Sequence, residues 1–388
     1  MLKELKKLKK KKVYPERSRR VFVGMSGGVD SSVAALLLKK KGYDVVGVFM
    51  RCYDSKDGCT KKDSRDAALV AQKLKIPFYI WDFRKQYKKK VIKYMIDGYK
   101  KGSTPNPDIM CNKEIKFGLF LERALKFGAD YVATGHYVKL KSKNLYQAKD
   151  KNKDQSYFLW ALTAEQLAHC LFPIGDYLKP QVRKIAKAAG LITAEKKDSQ
   201  GVCFLGKIKI EDFLKKYISK KKGKILDFEG KIIGEHSGVQ FYTIGQRHIN
   251  AKINFPSASR RIKFQKDRQP YYVAEKNKKT NTLVLVEGNE NPALYKKEVE
   301  LINVNLSDEK LKGKKSKILV MARVRYRQLL EKAELIISNK QQVTRENKKL
   351  PITNYYLLFI KPVKFVAPGQ SAVFYNKKGA LLGGGVII

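Results

Sequence analysis

Between Val21 and Thr134 short apolar runs alternate with stretches of helical spacing, and this alternation constrains the fold more than any other feature of the chain. Val21–Met25 reads as a buried strand, followed by a Ser/Gly turn and a helix containing Val33–Leu38. Tyr43–Met50 is a second strand, and Ser64–Leu74 has helical spacing with Asp63 or Ser64 as its N-cap. Phe78–Trp81 is a third strand. A basic helix over Lys85–Lys100 is broken by Gly102–Pro107, then Glu114–Phe127 is helical and Tyr131–Thr134 is a fourth strand. Parallel strands need long crossovers, and helices of about 10–15 residues supply them, so the expected fold is a doubly wound parallel α/β sheet. Ligands on such sheets bind beyond the carboxyl ends of the strands.

After Gly206 the pattern changes to short alternating strands. They fall at Lys224–Phe228, Val239–Ile244, Tyr271–Ala274 and Thr282–Val286, then at Ile318–Val324, Ala333–Ile337, Tyr355–Ile360 and Ala372–Tyr375. This predicts an all-β half: a small central domain over 207–294 and a barrel or sandwich over 295–388, behind an α/β domain over 21–206 and a basic arm over 1–20. Ser338–Lys349, rich in Lys and Asn, reads as an exposed hairpin loop.

The 82 Lys and Arg against 36 Asp and Glu leave a formal net charge of +46. That excess points to a polyanionic partner, nucleic acid ahead of an acidic membrane, with a generally Lys-rich surface as the plain alternative. No window reaches the ~20 apolar residues of a membrane helix. The first 20 residues hold ten Lys or Arg without an apolar core, unlike a secretory signal, and a cytoplasmic location is expected. Five cysteines (Cys52, Cys59, Cys111, Cys170 and Cys203) are too few and too uneven for a disulfide framework, and suggest thiols available for chemistry. Cys52 and Cys59 do not make a zinc site, and Cys170 falls in the helical pattern Ala164–Leu171.

Gly24-Met-Ser-Gly-Gly-Val-Asp-Ser-Ser32 lies between a strand and a helix. Adjacent glycines let a polyanion approach the backbone, and N–H groups at a helix N-terminus bind phosphate. The string is neither a Walker A loop nor G-x-G-x-x-G; an ordinary strand–helix turn is the bland reading. It looks like the pyrophosphate loop of the ATP pyrophosphatase superfamily, which would place Ser26, Ser31 and Ser32 on phosphate and Asp30 near Mg²⁺. A second signal is Pro105-Asn-Pro-Asp-Ile-Met-Cys-Asn112, read as setting Cys111 just before a helix, where the dipole lowers a thiol pKa. Asp198-Ser-Gln-Gly-Val-Cys-Phe204 sets Cys203 in another loop. Two loop thiols beside a nucleotide site suit sulfur transfer, although either alone reads as a buried cysteine.

From Val21 onward the chain resembles the tRNA-specific 2-thiouridylase family. The resemblance rests on the phosphate loop, Thr104–Phe117, Ala133–Tyr137, Lys153–Leu159, Phe172–Gly175, Lys179–Ala186 and Lys197–Phe204. It continues through Gly234–His236, Thr243–His248, Val324–Gln328 and Ala367–Gln370. It implies a sulfurtransferase that uses ATP and Mg²⁺ to adenylate the C2 oxygen of the wobble uridine of Glu-, Lys- or Gln-type tRNAs and replaces it with sulfur. AMP and pyrophosphate leave. Carried over by position, Cys203 receives a persulfide from a cysteine desulfurase or relay protein. Cys111 is the nucleophile that frees sulfide or forms a transient disulfide with Cys203. Asn106, Pro107 and Asp108 contact the target base, with Asp108 a helper in acid–base chemistry. Gly24, Met25, Ser26, Gly27, Gly28, Val29, Asp30 and Ser31 form the phosphate loop, while Met50 and Gly135 border adenosine. His136, Lys153, Asp154, Gln155, Arg325, Tyr326 and Gln370 face tRNA.

The residues alone leave His136 open between core and contact, and Asp108 between turn former and helper. The sequence departs from the family after Gln246-Arg-His, where Ile249–Pro256 replaces a glycine-rich stretch, and in its first 20 residues. Two rivals remain: a small-molecule ATP pyrophosphatase of the argininosuccinate- or GMP-synthetase kind, whose turnover would ignore tRNA, and an RNA-binding module that releases no pyrophosphate.

Overall fold

The computed structural model describes residues 19–54, 58–198, 210–249, 251–253, 269–307, 316–343 and 349–388. The first unit runs β1 (Arg20–Gly24), α1 (Val29–Lys40), β2 (Asp44–Arg51), α2 (Cys59–Lys73) and β3 (Phe78–Asp82). Next, α3 (Arg84–Tyr87) passes through a π-helical stretch, Lys88–Ile92, into α4 (Lys93–Lys100). In the same way α5 (Pro107–Cys111) passes through Asn112–Leu119 into α6 (Phe120–Lys126). The unit closes with β4 (Tyr131–Thr134), the hairpin β5 (Val138–Lys141) and β6 (Asn144–Gln147), α7 (Ala164–Ala168), β7 (Cys170–Leu171) and α8 (Lys179–Ala188).

The sheet has the order β3-β2-β1-β4-β7, and every neighbouring pair is parallel. The chain leaves central β1 toward β2 and β3, then returns to β4 on the other side. Winding therefore reverses at β1, and the crevice this opens lies beyond Gly24, where the phosphate loop begins. Successive residues of β1 face opposite sides: Val21 and Val23 pack with α1, α2 and α8, while Phe22 packs with Trp81, Tyr87, Met95 and Cys111. Helix α1 is buried on nearly every side, as its uninterrupted apolar run requires.

The middle unit holds α9 (Ile210–Leu214), β8 (Gly223–Leu226), β9 (Ile232–His236), β10 (Lys252–Ile253), β11 (Tyr271–Asn277) and β12 (Thr282–Glu287), in one sheet of order β10-β9-β8-β12-β11. The third unit is β13 (Tyr295–Leu306), β14 (Ser316–Arg323), β15 (Glu331–Val343), β16 (Lys349–Lys364), β17 (Ser371–Tyr375) and β18 (Leu381–Ile387). These six strands close into a barrel of order β13-β16-β15-β14-β17-β18, which leaves no unpaired edge. Its core includes Val299, Leu301, Val320, Leu335, Phe359 and Phe374.

The barrel docks on residues 154–160 of the first unit. Arg323 Nη2 pairs with Asp154 Oδ2 at 2.7 Å, with side chains 7% and 1% exposed. Tyr157 Oη donates to Ser371 O at 2.8 Å, and Asn305 Nδ2 donates to Trp160 O at 2.7 Å.

Four local expectations are corrected. Helix α2 starts at Cys59 behind Gly58, whose φ of 72° ends the preceding loop, rather than at Asp63 or Ser64. Val239–Phe241 is a 3-10 turn, not the start of a strand. Cys170 lies in β7, paired with Val132 at the sheet edge, because the helix ends at Ala168. The supposed loop from Ser338 is largely ladder, since β15 and β16 stay paired out to Val343 and Lys349. Among the described residues no helix is long and apolar enough to cross a membrane.

Candidate active site

The conformation of the Gly24–Ser32 turn, the expected phosphate loop, follows from its glycines. Gly27 has φ +73°, and a Cβ there would lie 2.2 Å from the Asp63 carbonyl oxygen. Only glycine accepts both conditions. Gly28 is the N-cap of α1 and offers no side chain to the first-turn N–H groups, which leaves them for an anion. Ser31 Oγ accepts from Ser26 N at 3.1 Å, while Ser32 Oγ donates to Gly28 O at 2.9 Å. Two neighbours complete the crevice. A Cβ on Gly135, at the end of β4, would lie 2.5 Å from Ser31 N, and one on Gly24 would lie 2.9 Å from Met50 Cε.

Asp30 is not free. Lys179 Nζ reaches both of its oxygens at 2.8 Å, and Tyr137 Oη donates to Oδ1 at 2.8 Å. Among the described residues no three His, Cys, Asp or Glu side chains gather as a metal site. The donor set does not fit a protein-held Mg²⁺: the expected ligand is a carboxylate already neutralised by an ammonium.

Lys179 also pairs with Asp198 at 2.8 Å, as do Lys153 at 2.7 Å and Arg183 at 2.8 Å. Burial works against the charged Asp198, but the hydrogen bonds from Lys153 and Lys179 outweigh it and hold the carboxyl down to about 2. A second lysine, Lys196, ties Gly27 O (2.9 Å) to Asp63 (2.7 Å) and Asp66, fixing the loop against α2. Sequence reading missed Lys179 and Lys196: Lys179 opened a matched string and Lys196 stood just ahead of another, with nothing to mark their carboxylate partners.

A cavity of about 380 Å³ is lined by residues of all three units. It brings together the expected Asn106, Pro107, Asp108, Arg325 and Gln370, from stretches more than 200 residues apart, with the unexpected Tyr99, Thr104, Thr243 and Gln246. Asn106 is the N-cap of α5, its Oδ1 accepting from Asp108 N at 3.1 Å. All three units strap the loop ahead of it. Thr104 N donates to Pro368 O at 2.7 Å, Gln370 Nε2 donates to Thr104 O at 2.7 Å, and the Thr104 and Thr243 hydroxyls lie 3.1 Å apart.

Cys111 is inside this helix, one turn past Pro107, and not just before a helix as expected. It is 5% exposed. Burial pushes the thiol up to about 12, opposed by the charge of Lys116 and a hydrogen bond with Tyr87, and reinforced by Cys52 and Asp108. The dipole-lowered thiol of the sequence reading is therefore corrected: desolvation wins. Cys203 lies outside the described residues.

Of the residues expected to face tRNA, His136 and Asp154 are buried, while Lys153, Gln155 and Tyr326 are half-buried and engaged within the chain. His136 is buried against Phe117 and Phe172, with Nδ1 2.7 Å from Thr134 Oγ1, and burial then the Lys116 charge push it well below its ordinary value. Asp154 is the buried partner of Arg323. Lys153 is committed to Asp198, and Gln155 Oε1 accepts from Tyr137 N at 2.9 Å. Tyr326 packs its ring 4.4 Å from Phe158. Backbone next to a ligand crevice needs internal support, and these side chains supply it.

Three family models match in succession: the tRNA methyl transferase HUP domain at 19–207, the tRNA methyl transferase PRC-barrel domain at 211–287 and the aminomethyltransferase beta-barrel domain at 296–387. The chain is 43% identical over 381 residues to a tRNA-specific 2-thiouridylase of Bacillus licheniformis, covering 96% of this chain and 95% of that protein. To the corresponding protein of Levilactobacillus brevis it is 45% identical over 368 residues, covering 92% of each. A Staphylococcus epidermidis relative is 42% identical over 377 residues, covering 95% of each. The three successive family models and these relatives make the chain a tRNA-modifying transferase built on a nucleotide-binding HUP domain, in keeping with its parallel sheet and two β units. Within that class the chain belongs to the tRNA-specific 2-thiouridylase family. Membership makes it a tRNA sulfurtransferase.

Proposed function

We propose that the chain binds ATP at Gly24–Ser32, adenylates the C2 oxygen of a tRNA wobble uridine held in the Asn106–Asp108 cavity, and replaces that oxygen with sulfur. The observation that carries this reading is the shared cavity. One short helix presents Asp108 to it and carries Cys111 one turn on, while the barrel supplies Arg325 and Gln370. Its volume is that of a small-ligand pocket, of order 300–1,000 Å³. A single-stranded loop base leaves its stack to enter such a pocket.

The chemistry balances as follows. The C2 oxygen attacks the α-phosphorus of ATP and pyrophosphate leaves, turning a poor leaving group into AMP. A cysteine desulfurase or relay protein loads Cys203 as a persulfide. The Cys111 thiolate attacks the Cys203 sulfur, a Cys111–Cys203 disulfide forms, and hydrosulfide departs with the electron pair of the broken S–S bond. Hydrosulfide adds to C2 and AMP leaves. A thiol reductant then returns both cysteines to thiols with two electrons and two protons. Any Mg²⁺ would come with the nucleotide phosphates, since the expected ligand Asp30 is already paired with Lys179. The +46 charge supports an RNA substrate bound largely through its phosphates, and the barrel at 295–388 is assigned to that contact.

The test is thiolation of Glu-, Lys- and Gln-type tRNA transcripts with ATP, Mg²⁺, cysteine and a desulfurase, read as retardation on a mercury gel. ATP-dependent retardation lost in Cys111→Ser and Cys203→Ser is expected. Full thiolation by Cys203→Ser removes the persulfide assignment, and ATP turnover indifferent to tRNA restores the small-molecule ligase.

A further inference from the structure

We propose that Lys116 is a positioning residue for Cys111, its ammonium brought to the thiolate by the π-helical register of Asn112–Leu119. The proposal rests on the reading of Cys111 as nucleophile for its use, although its test does not. In an α-helix residue i+5 lies about 140° around the axis from residue i, on another face. With i→i+5 hydrogen bonding the fifth residue returns toward the first. Here Phe120 N donates to Ile115 O, five residues back. Gly118 supports the same register, since a Cβ on it would lie 2.9 Å from Lys113 O, also five back. The burial pattern agrees. Cys111, Asn112, Ile115 and Phe117 are buried, Lys113 is exposed, and Lys116 is half-buried.

Two inward groups on different elements feel the charge of Lys116: Cys111 on α5 and His136 just after β4. The charge of Lys116 thus acts on both the helix that carries Cys111 and the end of β4, whose Gly135 lies against Ser31. The groups acting on Cys111 are Tyr87 from α3, Cys52 just after β2, Asp108 one turn earlier on α5, and Lys116. Cys52 and Asp108 disfavour a thiolate. Tyr87 favours it by a hydrogen bond, and Lys116 is the cation of the group. His136 stays neutral because it is buried and because Lys116 is already charged. Lys116, and not His136, is the cation available to a Cys111 thiolate. The thiolate is the nucleophilic form, and a desolvated thiolate needs a counter-charge to be populated.

The test measures iodoacetamide alkylation of Cys111 at pH 8 by peptide mass spectrometry in the full chain, as a ratio to buried Cys170, so that global opening cancels. Lys116→Met is expected to slow Cys111 about tenfold, the equivalent of one pH unit. Lys116→Arg keeps the charge and is expected to stay within about twofold of the parent. Parental reactivity in Lys116→Met, or an Arg variant as slow as the Met variant, overturns the proposal. Neither ATP nor tRNA takes part, so the outcome is separate from whether the chain thiolates RNA.

Discussion

Asp154 separates two accounts of one string of residues. If it faced tRNA, Asp154→Ala would weaken RNA binding and leave the fold alone. The structure instead buries it against Arg323 at 2.7 Å. Its carboxylate also accepts from Ala148 N at 3.1 Å and from Ser156 Oγ at 2.9 Å, while Arg323 Nη2 reaches Tyr375 Oη at 2.9 Å. Removing the carboxylate leaves a guanidinium 7% exposed with a neutral hydroxyl for company. Breaking a buried pair from one side costs roughly 3–5 kcal/mol. The lost backbone partner at Ala148, about 1–3 kcal/mol by itself, favours the upper half of that range without adding in full. Replacing both ends with apolar groups, as in Asp154→Ala with Arg323→Met, removes the stranded charge and is expected to recover at least half of the loss. The assay is urea unfolding followed by tryptophan fluorescence. Trp160 is a local reporter, since its ring fills the space where a Cβ on Gly384 of β18 would stand. At a slope near 3 kcal/mol per M the single variant's midpoint should fall by about 1–2 M. A single variant that melts with the parent while its KM for tRNA rises would refute the buried pair.

Three further outcomes follow from the geometry. Gly27→Ala, with φ +73° and no room beside Asp63 O, is expected to reduce tRNA-dependent AMP release more than tenfold; a parental rate refutes the loop assignment. Because burial raises Cys111 to about 12, its alkylation rate should climb about tenfold per pH unit from pH 7 to 10, and a plateau below pH 9 would show an exposed thiol. Gln370→Ala loses the hydrogen bond to Thr104 O, a contribution of roughly 0.5–1.5 kcal/mol, and should raise the KM for tRNA about two- to tenfold while the KM for ATP stays put.

What the sequence made legible was whatever depends on neighbours in the chain. The parallel sheet and the Gly24–Ser32 turn were readable because strand, turn and helix signals are local. The start of α5 was written there as well: Asn106 then Pro107 is an N-cap followed by a first-turn proline, a sign passed over in favour of a turn. Side-chain direction was not legible. His136 and Asp154 look alike as surface contacts or as core until Phe172 and Arg323 are brought to them, and Arg323 is 169 residues from Asp154. The π register beyond Cys111 leaves no periodicity of its own in so short a stretch. Cys203, the other half of the sulfur chemistry, lies outside the described residues.

The strapping of Thr104 has a consequence for the order in which the molecule acquires its abilities as it is made. The phosphate loop finds its neighbours (Asp63, Gly135, Lys179 and Lys196) within the first unit, so a nascent chain can complete a nucleotide crevice early. Thr104 receives its second set of partners 266 residues later, when Gln370 emerges. A chain stopped at Phe365 is thus expected to bind ATP without offering a finished seat for the base. On the proposed function, the barrel's arrival is what brings the two substrates together.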